Sequence, residues 1–153
     1  MITNGDYFGS KPHTEAQEDA AQELLDRVNA LIDEAESEGV HVRQNCPNTG
    51  TEISGSKGGS GDGGFRLPTA TTGAARSSHK VLPEEAPEGA GVDVYDPANA
   101  LDDWITSKNL DTAGTSNSVL EKHGLYREHP HDTPHWCHLT TRPVSTGVRT
   151  FNP

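Results

Sequence analysis

The chain has 153 residues, of which 31% are hydrophobic, with 16 glycines, 10 prolines and a formal net charge of −11. That length suits one domain spanning 1–153, with a modest core and long loops, and is too short for two full cores; a chain of this kind gains from a structural metal. The negative charge argues against nucleic acid or an anionic membrane as the main partner, because both reward Lys/Arg patches, and no apolar run approaches the ~20 residues of a spanning helix.

The first residues, "MITNGDYFGSK", lack a basic region followed by an apolar one. They do not read as a signal peptide, so the expectation is synthesis in a host cytoplasm. Residues 14–38 then predict an amphipathic helix. Thr14 and Gln17 form a capping box, and Ala21, Leu24, Leu25, Val28, Leu31, Ile32 and Ala35 recur at helical steps before the Gly39 stop. "VHVR" at 40–43 predicts a short strand.

Residues 44–76 shift to Gly, Ser, Thr and Pro, and "SGSKGGSGDGG" at 54–64 has the composition of a flexible linker. Each flank is too small to fold alone, so it reads as an internal loop. It lacks the Gly–Lys–Ser/Thr ending of a phosphate loop. "GVDVY" at 91–95 alternates like a strand. Asp96 and Pro97 suit the N-cap and first turn of a helix carrying Leu101, Trp104 and Ile105. A second short helix is predicted at 116–123, ending at Gly124.

"LYRE" at 125–128 and "WCHLTT" at 136–141 read as strands joined by a His/Pro-rich turn, and "VRTF" at 148–151 adds an edge strand. The whole predicts an α+β domain, a small antiparallel sheet packed with helices. Cys46 and Cys137 are too few for a disulfide framework and read as buried, inert thiols. His129 and His131 read as solvated turn residues, and Glu84 and Glu85 as a solvated charge run.

His79, Asp93 and His138 are the candidate metal ligands. Zinc takes imidazole nitrogen and carboxylate oxygen, and a catalytic site supplies three protein ligands with one position left for water. Spacing alone is a weak signal in a chain with eight histidines.

The residues around these three carry more. "SSH" at 77–79, "GAGVD" at 89–93 and "WCH" at 136–138 resemble, in order, the motifs of the zinc D-alanyl-D-alanine peptidases of the VanX/VanY type, which share a fold with the Hedgehog signalling domain. The resemblance spans about 40–141. It implies that Ser77 is the leading serine, that His79, Asp93 and His138 are the ligands, and that Gly89 is the motif glycine. "SG…GGFR", from Ser54 to Arg66, resembles the Ser-Gly-Tyr-Arg segment with Phe65 for tyrosine, which makes Arg66 the substrate-facing arginine.

Three departures stand out. "KVLPEEAPE" separates His79 from Gly89, an insertion a loop absorbs at little entropic cost. Gly91 replaces an alanine. The position three before His138, where the family sets its general base, is His135. Two repairs are open. With His138 as ligand, the base is Glu128 or, second, Asp132; with His135 as ligand instead, Asp132 stands three residues before it. Trp136 and the alternation of "WCHLTT" favour His138, and residues three apart on a strand face opposite sides.

The resemblance thus implies a zinc metallopeptidase cleaving the stem peptide of bacterial peptidoglycan, as a D,D-carboxypeptidase or an endopeptidase. In that reading zinc activates a water, Glu128 or Asp132 moves its proton, and Arg66 steadies the oxyanion or a substrate carboxylate. The small size and the N-terminus suit a phage lysis protein or a virion-associated component that acts at the cell wall, alongside other virion proteins. The competing expectation is a zinc-stabilised binding or structural module without turnover.

Overall fold

In a computed structural model, residues 1–56, 63–71, 76–85, 88–108 and 118–152 are described. The longest helix, α2 (Glu15–Ser37), follows a short α1 (Asn4–Phe8). Thr14 Oγ1 accepts from the Gln17 N–H at 3.2 Å while Gln17 Oε1 accepts from the Thr14 N–H at 2.8 Å, so the capping box closes in both directions. The apolar stripe of α2, from Ala21 to Ala35, is buried throughout.

Helix α1 has no counterpart in the sequence reading. It buries Tyr7 and Phe8, whose rings meet edge to face at 5.0 Å, and Phe8 packs on Phe65 at the same centroid distance.

Among the described residues the strands form one four-stranded sheet: β1 (Gly91–Tyr95), β2 (Tyr126–Glu128), β3 (Trp136–Thr140) and β4 (Thr150–Phe151), in the order β1-β3-β2-β4. β3 pairs antiparallel with β1 and β2, but β4 runs parallel to β2. The sheet is therefore mixed: the expected antiparallel pairing holds for β1, β3 and β2, and the parallel β4 is the departure from it. Residues 141–149 return the chain alongside β2 in the same direction, so "VRTF" contributes only its last two residues. The domain is a small α+β unit, and no helix among the described residues is long and apolar enough to cross a membrane.

Other expectations also shift. "VHVR" forms no strand. The Val42 and Arg43 N–H groups donate to Glu36 Oε1 at 2.7 and 2.8 Å, so a side chain takes the place of a ladder partner. The burial of Val42 explains the apolar signal that suggested a strand.

α3 (Ala100–Lys108) starts three residues later than Asp96–Pro97 suggested. Asn99 turns the chain at φ +55°, yet the Asp96 carboxylate still reaches the N–H groups of Leu101 and Asp102 at 3.1 Å, capping at a distance. α4 (Val119–Lys122) is capped by Ser118, whose hydroxyl accepts from the Glu121 N–H at 3.1 Å. The expected start of that helix at 116 and 117 lies outside the described residues, as do 57–62 and 72–75 of the glycine-rich stretch.

The flanks of that stretch are pinned to β1. Ser54 N–H donates to the Asp93 carbonyl at 2.8 Å, and Asp93 N–H donates to the Gly63 carbonyl at 2.7 Å. Phe65 N–H donates to the Tyr7 carbonyl at 2.9 Å, and Tyr7 Oη donates to the Gly91 carbonyl at 3.0 Å. These bonds carry the "GGFR" segment to the same edge of the sheet that presents Asp93.

Candidate metal centre

β1 and β3 set Asp93 directly opposite His138 in the antiparallel register. Directly opposed residues on paired strands project from one face and touch. The alternate residues Val92, Val94, Cys137 and Leu139 are buried in the core. His79 arrives from a single 3₁₀ turn, Ser78–Lys80, which Ser77 caps by accepting from the His79 N–H at 3.4 Å.

His79, Asp93 and His138 come together as three donors whose ligating atoms lie within 4.8 Å of one another. Asp93 Oδ1 lies 2.7 Å from His138 Nδ1 and 3.3 Å from His79 Nε2. Both imidazoles are buried and their ring centroids are 5.0 Å apart.

The hydrogen bonds around the rings fix which nitrogens face inward. His79 Nδ1 lies 3.0 Å from the Gly64 carbonyl, which can only accept, so Nδ1 carries a proton and Nε2 faces Asp93. In the neutral ring that Nε2 lone pair confronts a carboxylate oxygen, an arrangement that requires a second ring proton or a cation between them. His138 presents Nδ1 to Asp93, while its Nε2 lies 3.3 Å from Ser78 Oγ.

Each imidazole thus has an outer partner of the kind that orients metal-ligating histidines. Burial raises the Asp93 pKa, but the imidazoles of His79 and His138 outweigh it and hold the carboxyl well below its usual range. Asp93 is an anion ready to ligate, and the group can bind a metal ion.

The triad opens into a cleft of ≈ 550 Å³ that is also lined by Arg66, Ser77, Glu128 and Asp132. Seven of the residues picked out from the sequence therefore share one cavity, and His135, the alternative ligand, is not among them. Glu128 is half-buried on β2; carrying the β2–β3 register one residue past Arg127↔Leu139 sets it level with His138. Burial raises the Glu128 pKa, His138 opposes this, and the charges of Asp93 and Asp132 push it up again. Asp132 is exposed on the turn.

Arg66 N–H donates to the His79 carbonyl at 2.8 Å, and Arg66 Nε is buried without a hydrogen-bond partner among the described residues. His135 lies apart from the triad. Its φ is +75°, its Nδ1 is 3.1 Å from the Pro97 carbonyl, and it does not line the cleft.

Cys137 is buried, and burial with the nearby Asp102 charge keeps its thiol protonated well above the usual range. Cys46 is buried as well. His129, His131, Glu84 and Glu85 are exposed, and Glu85 lies 3.6 Å from Arg76.

The sequence reading passed over Ser78, Arg142 and the Gly64 carbonyl. Trp136, His138, Thr140 and Arg142 all line the cleft at every second position, so strand alternation run past Thr140 would have found Arg142. A backbone carbonyl leaves no signal in side-chain identity. The chain matches no protein-family model, no curated protein and no solved structure.

Proposed function

We propose that the chain is a zinc-dependent peptidase of the D-alanyl-D-alanine peptidase kind, on a Hedgehog/DD-peptidase-like scaffold, that cuts a peptide bond in bacterial peptidoglycan. The observation that carries this reading is a buried two-histidine, one-aspartate group in the floor of a cleft that also holds a half-buried carboxylate and a guanidinium. Two imidazoles and one carboxylate suit zinc better than the hard, all-oxygen cations. Bound there, zinc would supply a Lewis acid that polarises the scissile carbonyl and acidifies water.

The chain's own residues do the rest. Glu128 takes the proton of the attacking water and passes it to the leaving amine, and its burial, which raises its pKa, helps it hold that proton between the two steps. Arg66 donates to the carbonyl oxygen as negative charge develops on it. Gly64 and Ser78 hold the imidazoles in register. The substrate is the stem peptide, and the place of action is the cell wall, in phage lysis or from a virion.

A second reading, a zinc-stabilised module without turnover, is favoured by one observation: the residue three before His138 is His135, which is turned toward Pro97.

Zinc content and release of amino groups from purified peptidoglycan test both readings. The expected outcome is about one zinc per chain, lost in His79→Ala and His138→Ala and kept in His135→Ala. Glu128→Gln should keep zinc and lose cleavage by about 10²–10⁴-fold. Zinc bound with no cleavage by the wild type would favour the module, and no zinc at all would end both readings.

A further inference from the structure

Helix α1 precedes the stretch that resembles the peptidases, and the resemblance gives it no part in the site. Its Tyr7 is 1% exposed and reaches the metal centre from two atoms. The Tyr7 carbonyl accepts from the Phe65 N–H at 2.9 Å. The hydroxyl donates to the Gly91 carbonyl at 3.0 Å, across 84 residues of sequence.

Both contacts land beside the groups that orient the ligands. Gly64 lies so close to α1 that a Cβ there would stand 2.5 Å from the Tyr7 carbonyl oxygen and 3.3 Å from its carbon. That same Gly64 turns its own carbonyl to His79 Nδ1 at 3.0 Å. The preceding Gly63 accepts from the Asp93 N–H at 2.7 Å, and a Cβ on it would stand 2.5 Å from Asp93 Cβ. Gly91 packs against Ser78, whose Oγ lies 3.3 Å from His138 Nε2. One tyrosine thus borders the supports of all three donors.

Tyr7 is anchored from outside the site. Thr3 and Asp6 close a capping box on α1. The Ile2 N–H donates to Asn29 Oδ1 at 2.9 Å and the Ile2 carbonyl accepts from Asn29 Nδ2 at 2.8 Å, which ties the start of α1 to α2. A phenylalanine ring would fill the same place beside Phe8 and Phe65, so packing alone does not call for a hydroxyl. A buried hydroxyl is tolerated where it is hydrogen-bonded, and this one is bonded to the end of β1 that faces Ser78.

We propose that Tyr7 is a positioning residue of the metal centre: its carbonyl holds the segment that orients His79, and its hydroxyl holds the end of β1 against which Ser78 orients His138. This rests on the triad being a metal site and not on which bond the chain cuts.

The test compares the full-length wild type with Tyr7→Phe and with Ile32→Val, a change in the core of α2 that touches none of these bonds. Zinc affinity is read by competition with a chromophoric chelator, and the visible spectrum of the cobalt-loaded chain reports the ligand geometry. Tyr7→Phe should weaken zinc about tenfold, the lower end of what an outer partner is worth, and should alter the cobalt spectrum. Ile32→Val should lower stability and leave both readouts as in the wild type. In zinc-stripped protein the ring proton signals of His79 and His138, assigned from the His79→Ala and His138→Ala chains, should move in Tyr7→Phe and not in Ile32→Val.

An unchanged zinc affinity or unmoved ring signals in folded Tyr7→Phe overturns the proposal. Equal changes in Ile32→Val overturn it too, by making the effect one of stability alone. If Tyr7→Phe loses its fold, fluorotyrosine-labelled wild type carries the test. Its Tyr7 signal, one of three tyrosines and identified with Tyr95→Phe and Tyr126→Phe, should shift when zinc is added, and a signal indifferent to zinc refutes the proposal. A wild type that binds no zinc, with ring signals that still move in Tyr7→Phe, refutes the metal reading alone. Zinc bound equally by the wild type and Tyr7→Phe refutes the role of Tyr7 alone.

Discussion

Gly91 is one of the three departures from the motif, and there the structure supplies a reason. A Cβ at that position would lie 2.1 Å from Ser78 Oγ and 3.1 Å from His138 Cε1. The glycine makes room for Ser78, and Ser78 in turn meets His138 Nε2. Outer partners of this kind are worth about 10–100-fold in metal affinity. Gly91→Ala must turn Ser78 away, so zinc affinity, read by competition with a chromophoric chelator, should fall within that range while the helical circular dichroism stays. An unchanged affinity would remove Ser78 from any role at the metal. The triad itself was legible because His79, Asp93 and His138 are residue types with chemistry, two of them set on recognisable strands. Ser78 and the Gly64 carbonyl were not, because their importance lies in a close approach and in a backbone atom, and neither is written in residue identity.

At the scale of elements, α3 and β2 are joined by a buried pair: Arg127 Nη1 donates to Asp102 Oδ1 at 3.1 Å and to the Asp102 carbonyl at 2.8 Å. Asp102 Oδ2 has no partner among the described residues. Burial therefore outweighs the Arg127 charge, and the Asp102 carboxyl is pushed up to about 6 from 3.8. The folded state holds this proton more tightly than the unfolded chain. Its contribution to stability is thus fully present below 3.8 and is lost as the pH rises through about 6. A shift of that size corresponds to about 3 kcal/mol. Asp102→Asn removes the titration, so its stability relative to the wild type should improve by up to about 3 kcal/mol between about pH 4 and about pH 8 in urea unfolding of zinc-stripped protein. A constant difference would mean that Arg127 keeps Asp102 ionised throughout. The same segments show what the sequence concealed. α2 was legible because its stripe repeats over 23 residues and both ends carry stop signals. "VHVR" misled because alternation reports burial, and here Glu36 satisfies the backbone. The parallel placement of β4 depends on the path of 141–149, which no local pattern encodes.

Across the whole molecule, three donors from separate segments meet only when the chain is folded. Asp93 and His138 are 45 residues apart in sequence, and His79 comes from a turn held by Ser77 and by the Gly64 carbonyl. An unfolded chain cannot offer all three at once, so an ion bound by the triad is linked to folding. At a free concentration ~1,000 times the dissociation constant this linkage adds about 4 kcal/mol. For a chain near this length, 1 kcal/mol moves the melting temperature by about 2–4 °C. Zinc should therefore raise Tm by roughly 8–16 °C, and a chelator should return it to the metal-free value. His79→Ala and His138→Ala should abolish the shift, and His135→Ala should keep it, since that ring is turned toward Pro97. The modest apolar content of the chain, 31%, makes the shift a large share of its stability. A wild-type Tm indifferent to zinc would leave the two imidazoles and Asp93 as a buried ion-pair cluster, joined by protons alone.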